Sequence, residues 1–96
     1  MKVFMSMKWD GVTLDQYEAL RKLVNWEINQ PKGGNLHIAG FHNGSLRVTD
    51  VWNSVEEFNE FAEKRLMPGV AACQIQGQPQ VDLFPIHAIY FPALQL

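Results

Sequence analysis

The chain has one cysteine, Cys73, so an internal disulfide framework is excluded and the small-hydrophobe reading of that residue dominates. It has no cluster of lysine or arginine, and its formal charge is −2, which leaves no electrostatic footprint for nucleic acid or an anionic membrane. Unbroken apolar runs are too short to span a bilayer. The opening "MKVFMSMKWDG" has an apolar stretch soon broken by Lys8 and Asp10, too short for a secretory signal, so a cytoplasmic protein is expected. Internal repeats, low-complexity tracts and linkers are missing. So are a G-x-S-x-G elbow and, in "PKGGN", the spacing of a phosphate-cradling loop. Neither HxH nor HxxxH occurs, and the dispersed His37, Asp50 and His87 do not make a metal set, so no metal is expected.

What is present is a chain of 96 residues, 47% hydrophobic and 19% charged, the composition of one globular domain over residues 1–96. Folding at this size hides only about two-thirds of the unfolded surface, so burial against a partner would add considerably to stability. Val3 to Met7 reads as a first strand, closed by the turn chemistry of "WDGVT". Thr13 and Gln16 have capping-box spacing, and Leu14, Tyr17, Leu20, Val24 and Ile28 recur at helical period until Pro31, Gly33 and Gly34. Trp26 falls off that stripe and is expected to be partly exposed or at a subunit contact. Two β-rich runs then flank Asn43-Gly44, a pair that accepts the positive φ of a type I′ turn. Ser54 and Glu57 cap a second helix whose apolar face is Val55, Phe58, Phe61, Ala62 and Leu66. Pro68 and Gly69 interrupt it, with another turn open in "VAACQI". "QVDLFPIHAIYF" reads as a long last strand, assigned to a sheet edge by Pro85, which cannot donate to a ladder.

The order β-α-β-β-α-β predicts an α+β, ferredoxin-like fold: a four-stranded antiparallel sheet with two helices on one face. Leu36, Ile38 and Gly40 oppose Ala39 and Phe41 on the second strand, and the last strand is apolar on both sides as well. Two apolar faces require two covers. The helices supply one, and a second copy of the sheet, related by two-fold symmetry, is the simplest other.

The element order, the "VWNSVEEFNEF" step from third strand to second helix, and the histidine-containing last stretch resemble the dimeric α+β barrel superfamily, the group that includes antibiotic-biosynthesis-type monooxygenases. That resemblance spans nearly the whole chain and implies a homodimer. It embraces cofactor-independent quinone-forming monooxygenases, haem-degrading enzymes, lactone isomerases and domains without known activity, so fold alone does not settle function. Haem-degrading members carry an asparagine in the first strand and a histidine in the second helix alongside a tryptophan. Here the first strand offers Ser6 and the second helix has no histidine, so haem is not expected, nor any other cofactor.

A two-residue loop at Asn43-Gly44 pairs Phe41 with Leu46, Ala39 with Val48 and His37 with Asp50, opposed β-carbons lying roughly 5 Å apart on one face. Trp52 shares the parity of Asp50. A His–Asp pair is therefore set into an apolar face beside a tryptophan. It reads either as a general base oriented by a carboxylate or as a satisfied structural pair that fixes strand register. Arg65 falls within the apolar stripe of the second helix, between Phe58 and Phe61 by helical angle. It would clamp an anionic group, or lay its stem on the core with its head in water. Trp52, Phe58, Arg65 and His87 are the candidate substrate contacts, although a lone histidine on an apolar strand such as His87 is more often a hydrogen-bonded core residue. His42 abuts the turn, and Tyr17 and Tyr90 could bind a phenolic substrate, yet each fits its amphipathic pattern without that role. The expected activity is proton abstraction from a small aromatic or polyketide-like compound by His37, oriented by Asp50, leading to cofactor-independent oxygenation or to isomerisation. The alternative is a non-catalytic metabolite-binding or assembly module.

Overall fold

A computed structural model of the chain describes residues 1–94, in the order β1 (Val3–Asp10), α1 (Leu14–Val24), β2 (Gly34–His42), β3 (Ser45–Trp52), α2 (Val55–Phe61), a π-helical stretch Ala62–Leu66, α3 (Met67–Ala72), β4 (Gln80–Pro85) and a short 3₁₀ turn Pro92–Leu94. The strands form one antiparallel sheet in the order β2-β3-β1-β4, with β4 at the edge that Pro85 requires. This is the α+β, ferredoxin-like arrangement expected from the element order. No helix among the described residues is long and apolar enough to cross a membrane.

The central hairpin has the register derived from its turn. Asn43 and Gly44 have φ of 51° and 78°, and His37 pairs with Asp50, Ala39 with Val48 and Phe41 with Leu46. Val3, Met5, Met7 and Trp9 of β1 and Leu46, Val48, Asp50 and Trp52 of β3 form the buried inner face. Tyr17, Leu20 and Val24 of α1 and Phe58 and Val70 of the second helical segment pack over it.

Four departures from the sequence reading have physical causes. β1 runs on to Asp10, because alternation continues through Trp9 inward and Lys8 outward and Ser45 Oγ donates to the Asp10 carboxylate, pinning the end. α1 stops at Val24, not at Pro31: Asn25 takes the left-handed conformation (φ 60°) and its N–H returns to the Arg21 carbonyl, leaving Ile28 exposed in the following loop. Pro68 does not end the second helix, since the π turn immediately before it accommodates a residue without an N–H and the chain continues as α3. The last strand ends at Pro85. The Ile86 N–H still reaches the Lys2 carbonyl at 3.0 Å, but residues 87–91 leave the sheet.

The loop between α1 and β2 turns at Gly33, whose φ of +84° suits glycine alone, and an added Cβ would stand 2.6–2.8 Å from the Glu57 carboxylate. Gly33→Ala should therefore cost about 1–3 kcal/mol in urea unfolding. Gly40→Ala, where nothing lies within 4 Å, should stay within about 0.5 kcal/mol of the parent.

Candidate active site

Asp50 is the one carboxylate on the inner face of the sheet and is 7% exposed. A buried carboxylate must be met by donors, and it has two. Trp52 Nε1, two residues along the same face, donates to Oδ2 at 3.1 Å, and His37 Nδ1, directly across the ladder, lies 2.7 Å from Oδ1. An ionised carboxylate only accepts, so the proton of a neutral His37 sits on Nδ1 and Nε2 presents its lone pair. Tyr17 Oη, 2.8 Å from Nε2, is then the donor. The result is a line of four side chains, Trp52–Asp50–His37–Tyr17, running from the core to the half-buried imidazole. Among the described residues no buried side-chain nitrogen or oxygen lacks a partner.

Tyr17 reaches this position because the Thr13–Gln16 capping box fixes the first turn of α1 and the spacing Tyr17, Leu20, Val24 turns one stripe onto the sheet. Burial pushes its hydroxyl above the ordinary tyrosine range, so the phenol is neutral. Trp26 lies 5.1 Å from the His37 ring and 6.0 Å from Tyr17, and Phe41 meets Tyr17 edge-on at 6.1 Å. Trp52 is flanked by Phe58 at 5.5 Å and Phe61 at 5.4 Å.

Apart from Phe41, these side chains line a cavity of about 290 Å³ between sheet and helices, close to the lower end of the size range of small-molecule sites (roughly 300–1,000 Å³). His37, Asp50, Trp52 and Phe58, all expected at the site, line it. So do Tyr17 and Trp26, which sequence reasoning set aside. A cleft of about 490 Å³ toward β2 shares Tyr17, Trp26, Glu27 and His37 with the cavity.

Two candidates lie elsewhere. Arg65 does not line the cavity; its Nη2 donates to the carbonyls of Val24 (2.9 Å) and Asn29 (2.7 Å), and its guanidinium lies 5.3 Å from the Phe61 ring centre. Carbonyls at the end of α1 lack helical partners, and Arg65 satisfies one while tying the Asn25–Gly33 loop to the second helix. His87 is exposed beyond Pro85, outside the sheet and away from the cavity. His42 lies by the turn, 3.2 Å from the Asn43 amide.

No family model matches the sequence, and no curated protein matches it. Solved structures do. SnoaB, a cofactor-independent oxygenase from Streptomyces nogalater, is 14% identical over 92% of this chain and 94% of its own, with a TM-score of 0.65. Rv0793 from Mycobacterium tuberculosis is 14% identical over 93% and 98%, TM-score 0.65. The monooxygenase from the gene ActVA-Orf6 of Streptomyces coelicolor, solved with nanaomycin D, is 13% identical over 94% and 91%, TM-score 0.65. The chain shares their fold. At this identity the likeness is one of architecture, the ferredoxin-like α+β fold.

The raised Tyr17 hydroxyl has a consequence for stability. Unfolding returns Tyr17 to its ordinary value near 10.0, so above that pH the unfolded chain sheds a proton the folded one retains, and stability falls as pH rises. Thermal unfolding from neutral pH upward should show a steeper loss above about pH 10 in the parent than in Tyr17→Phe.

Proposed function

We propose that the protein binds a small hydroxylated aromatic compound in the cavity and removes a proton from it, with His37 as the ultimate base. The carrying observation is the line Trp52–Asp50–His37–Tyr17, which ends at the cavity with every upstream member hydrogen-bonded. Asp50 holds the imidazole with Nε2 free of a proton and stabilises the imidazolium that forms. Tyr17 hands its proton to Nε2 as its oxygen takes one from the substrate, or donates to the new oxyanion once Nε2 is protonated directly. Arg65, committed to backbone carbonyls, has no part in this.

The anion then has two fates. At an activated ring methylene it reacts with O₂: the carbon gains one oxygen as a carbonyl, the other leaves as water, and the four electrons lost by carbon are those gained by O₂. Returned to a different carbon, the proton gives an isomer with no oxidant consumed. Oxygenation has the support of neighbours described as a cofactor-independent oxygenase and a monooxygenase. A non-catalytic metabolite-binding module would use the same cavity without needing a polarised proton line.

Oxygen uptake and absorbance, followed over a panel of quinols and anthrone-like compounds, test this reading. On a substrate that turns over, His37→Ala and Asp50→Asn should lower kcat by about 10²–10⁴-fold. Unchanged turnover in both variants would eliminate the mechanism. Tight binding with no turnover of any compound would favour the binding module.

We also infer a homodimer across the outer face of the sheet. Phe4 and Phe84 stack there at 5.0 Å beside Leu36, Ile38 and Val51, with Ile38 54% and Phe84 46% exposed. Ile89, Tyr90 and Phe91 follow, also exposed. An apolar patch of this kind marks an interface. Sedimentation should give twice the chain mass at micromolar concentration and the single-chain mass for Ile38→Lys. A monomeric parent would refute the dimer.

A further inference from the structure

The charges around the cavity point to a narrower substrate class. We propose that the site selects an uncharged aromatic hydroxy compound and discriminates against its carboxylate and phosphate counterparts. This rests on reading the cavity as a ligand site and goes further by fixing the charge of the ligand.

The ionisable side chains lining the cavity are Tyr17, Glu27, His37 and Asp50; among the described residues no lysine or arginine joins them. The two nearby guanidinium groups are committed. Arg65 faces the carbonyls of Val24 and Asn29. Arg21, in the outer cleft, donates to Glu27 (2.9 Å from Nη2) and to Glu18 (3.3 Å from Nη1), so two carboxylates neutralise it. Lys32 borders a separate shallow hollow with Glu57, Glu60 and Arg65. Asp50 is the fixed charge nearest the imidazole, and both its oxygens already hold donors. An anion entering this space would lose its hydration, find no cation in exchange and face a carboxylate.

A neutral hydroxyl meets better terms. The Tyr17 oxygen donates to His37 and keeps lone pairs to accept, and the side-chain amide of Gln30 at the rim supplies an uncharged donor and acceptor. Trp26, Trp52, Phe58 and Phe61 provide ring faces and edges for a flat apolar body.

Isothermal titration calorimetry with 1-naphthol and 1-naphthoate tests this on one ring system. At about pH 7.5 the carboxylic acid is ionised and the phenol is not. Naphthol should bind at least about 30-fold more tightly. Gln30→Lys, an exposed rim substitution that sets a cation at the mouth, should shrink that ratio by about tenfold through tighter naphthoate binding. Equal affinities, or tighter naphthoate, would overturn the inference while leaving the cavity as a ligand site. A ratio unmoved by Gln30→Lys would show that charge is not its cause and would also overturn it. Binding of neither compound would bring down the ligand-site reading, and this inference with it.

Discussion

The carboxylate of Asp50 is the constraint around which the inner half of the molecule is arranged. It sits on a sheet face shared with Met5, Met7, Leu46, Val48 and Trp52, where an unpaired charge would cost several kcal/mol. Two donors answer it, and both come from strand geometry. Trp52 lies on the same face two residues on, and His37 lies opposite because the Asn43-Gly44 turn sets the register. A slip of one residue would turn His37 to the other face and leave Asp50 with a single donor. Satisfying the charge and fixing the hairpin are one event.

From that pair outward the chemistry follows from hydrogen-bond valence. The carboxylate accepts only, which puts the His37 proton on Nδ1, which leaves Nε2 for Tyr17. The space beside this line is bordered by large rings that meet at angles: Trp52 lies edge-on to Phe58 and tilted against Phe61, and Trp26 is tilted against Tyr17. Arg65 contributes at a distance. By holding the carbonyls of Val24 and Asn29 it secures the loop that carries Trp26 and Glu27 to the cavity mouth.

Much of this arrangement was legible before any coordinates. Element order, the hairpin register and the His37–Asp50 pairing all rest on local rules, a turn that demands positive φ and a ladder that counts in twos. Phe58 and Trp52 were reached by the same parity and period. Arg65 stands out in the sequence as a charge in an apolar stripe, but its partners are backbone carbonyls about forty positions earlier in the chain, and no side-chain pattern advertises a carbonyl. His87 looked like a strand residue because "FPIHAIYF" is apolar, yet Pro85 ends the ladder and the segment leaves the sheet.

Sequence by itself determined the hairpin, its inward-facing His–Asp pair and the capped helices, since each depends on residues a few positions apart and on short-range sterics and hydrogen bonds. Tertiary structure decided that Tyr17 completes the hydrogen-bonded line, that Trp26 enters the cavity wall and that no lysine or arginine among the described residues does. Those outcomes depend on where α1 crosses β2, where Asn25 stops α1 and which carbonyls Arg65 reaches. They are set by packing between elements distant in the chain, and side-chain periodicity carries no record of that distance.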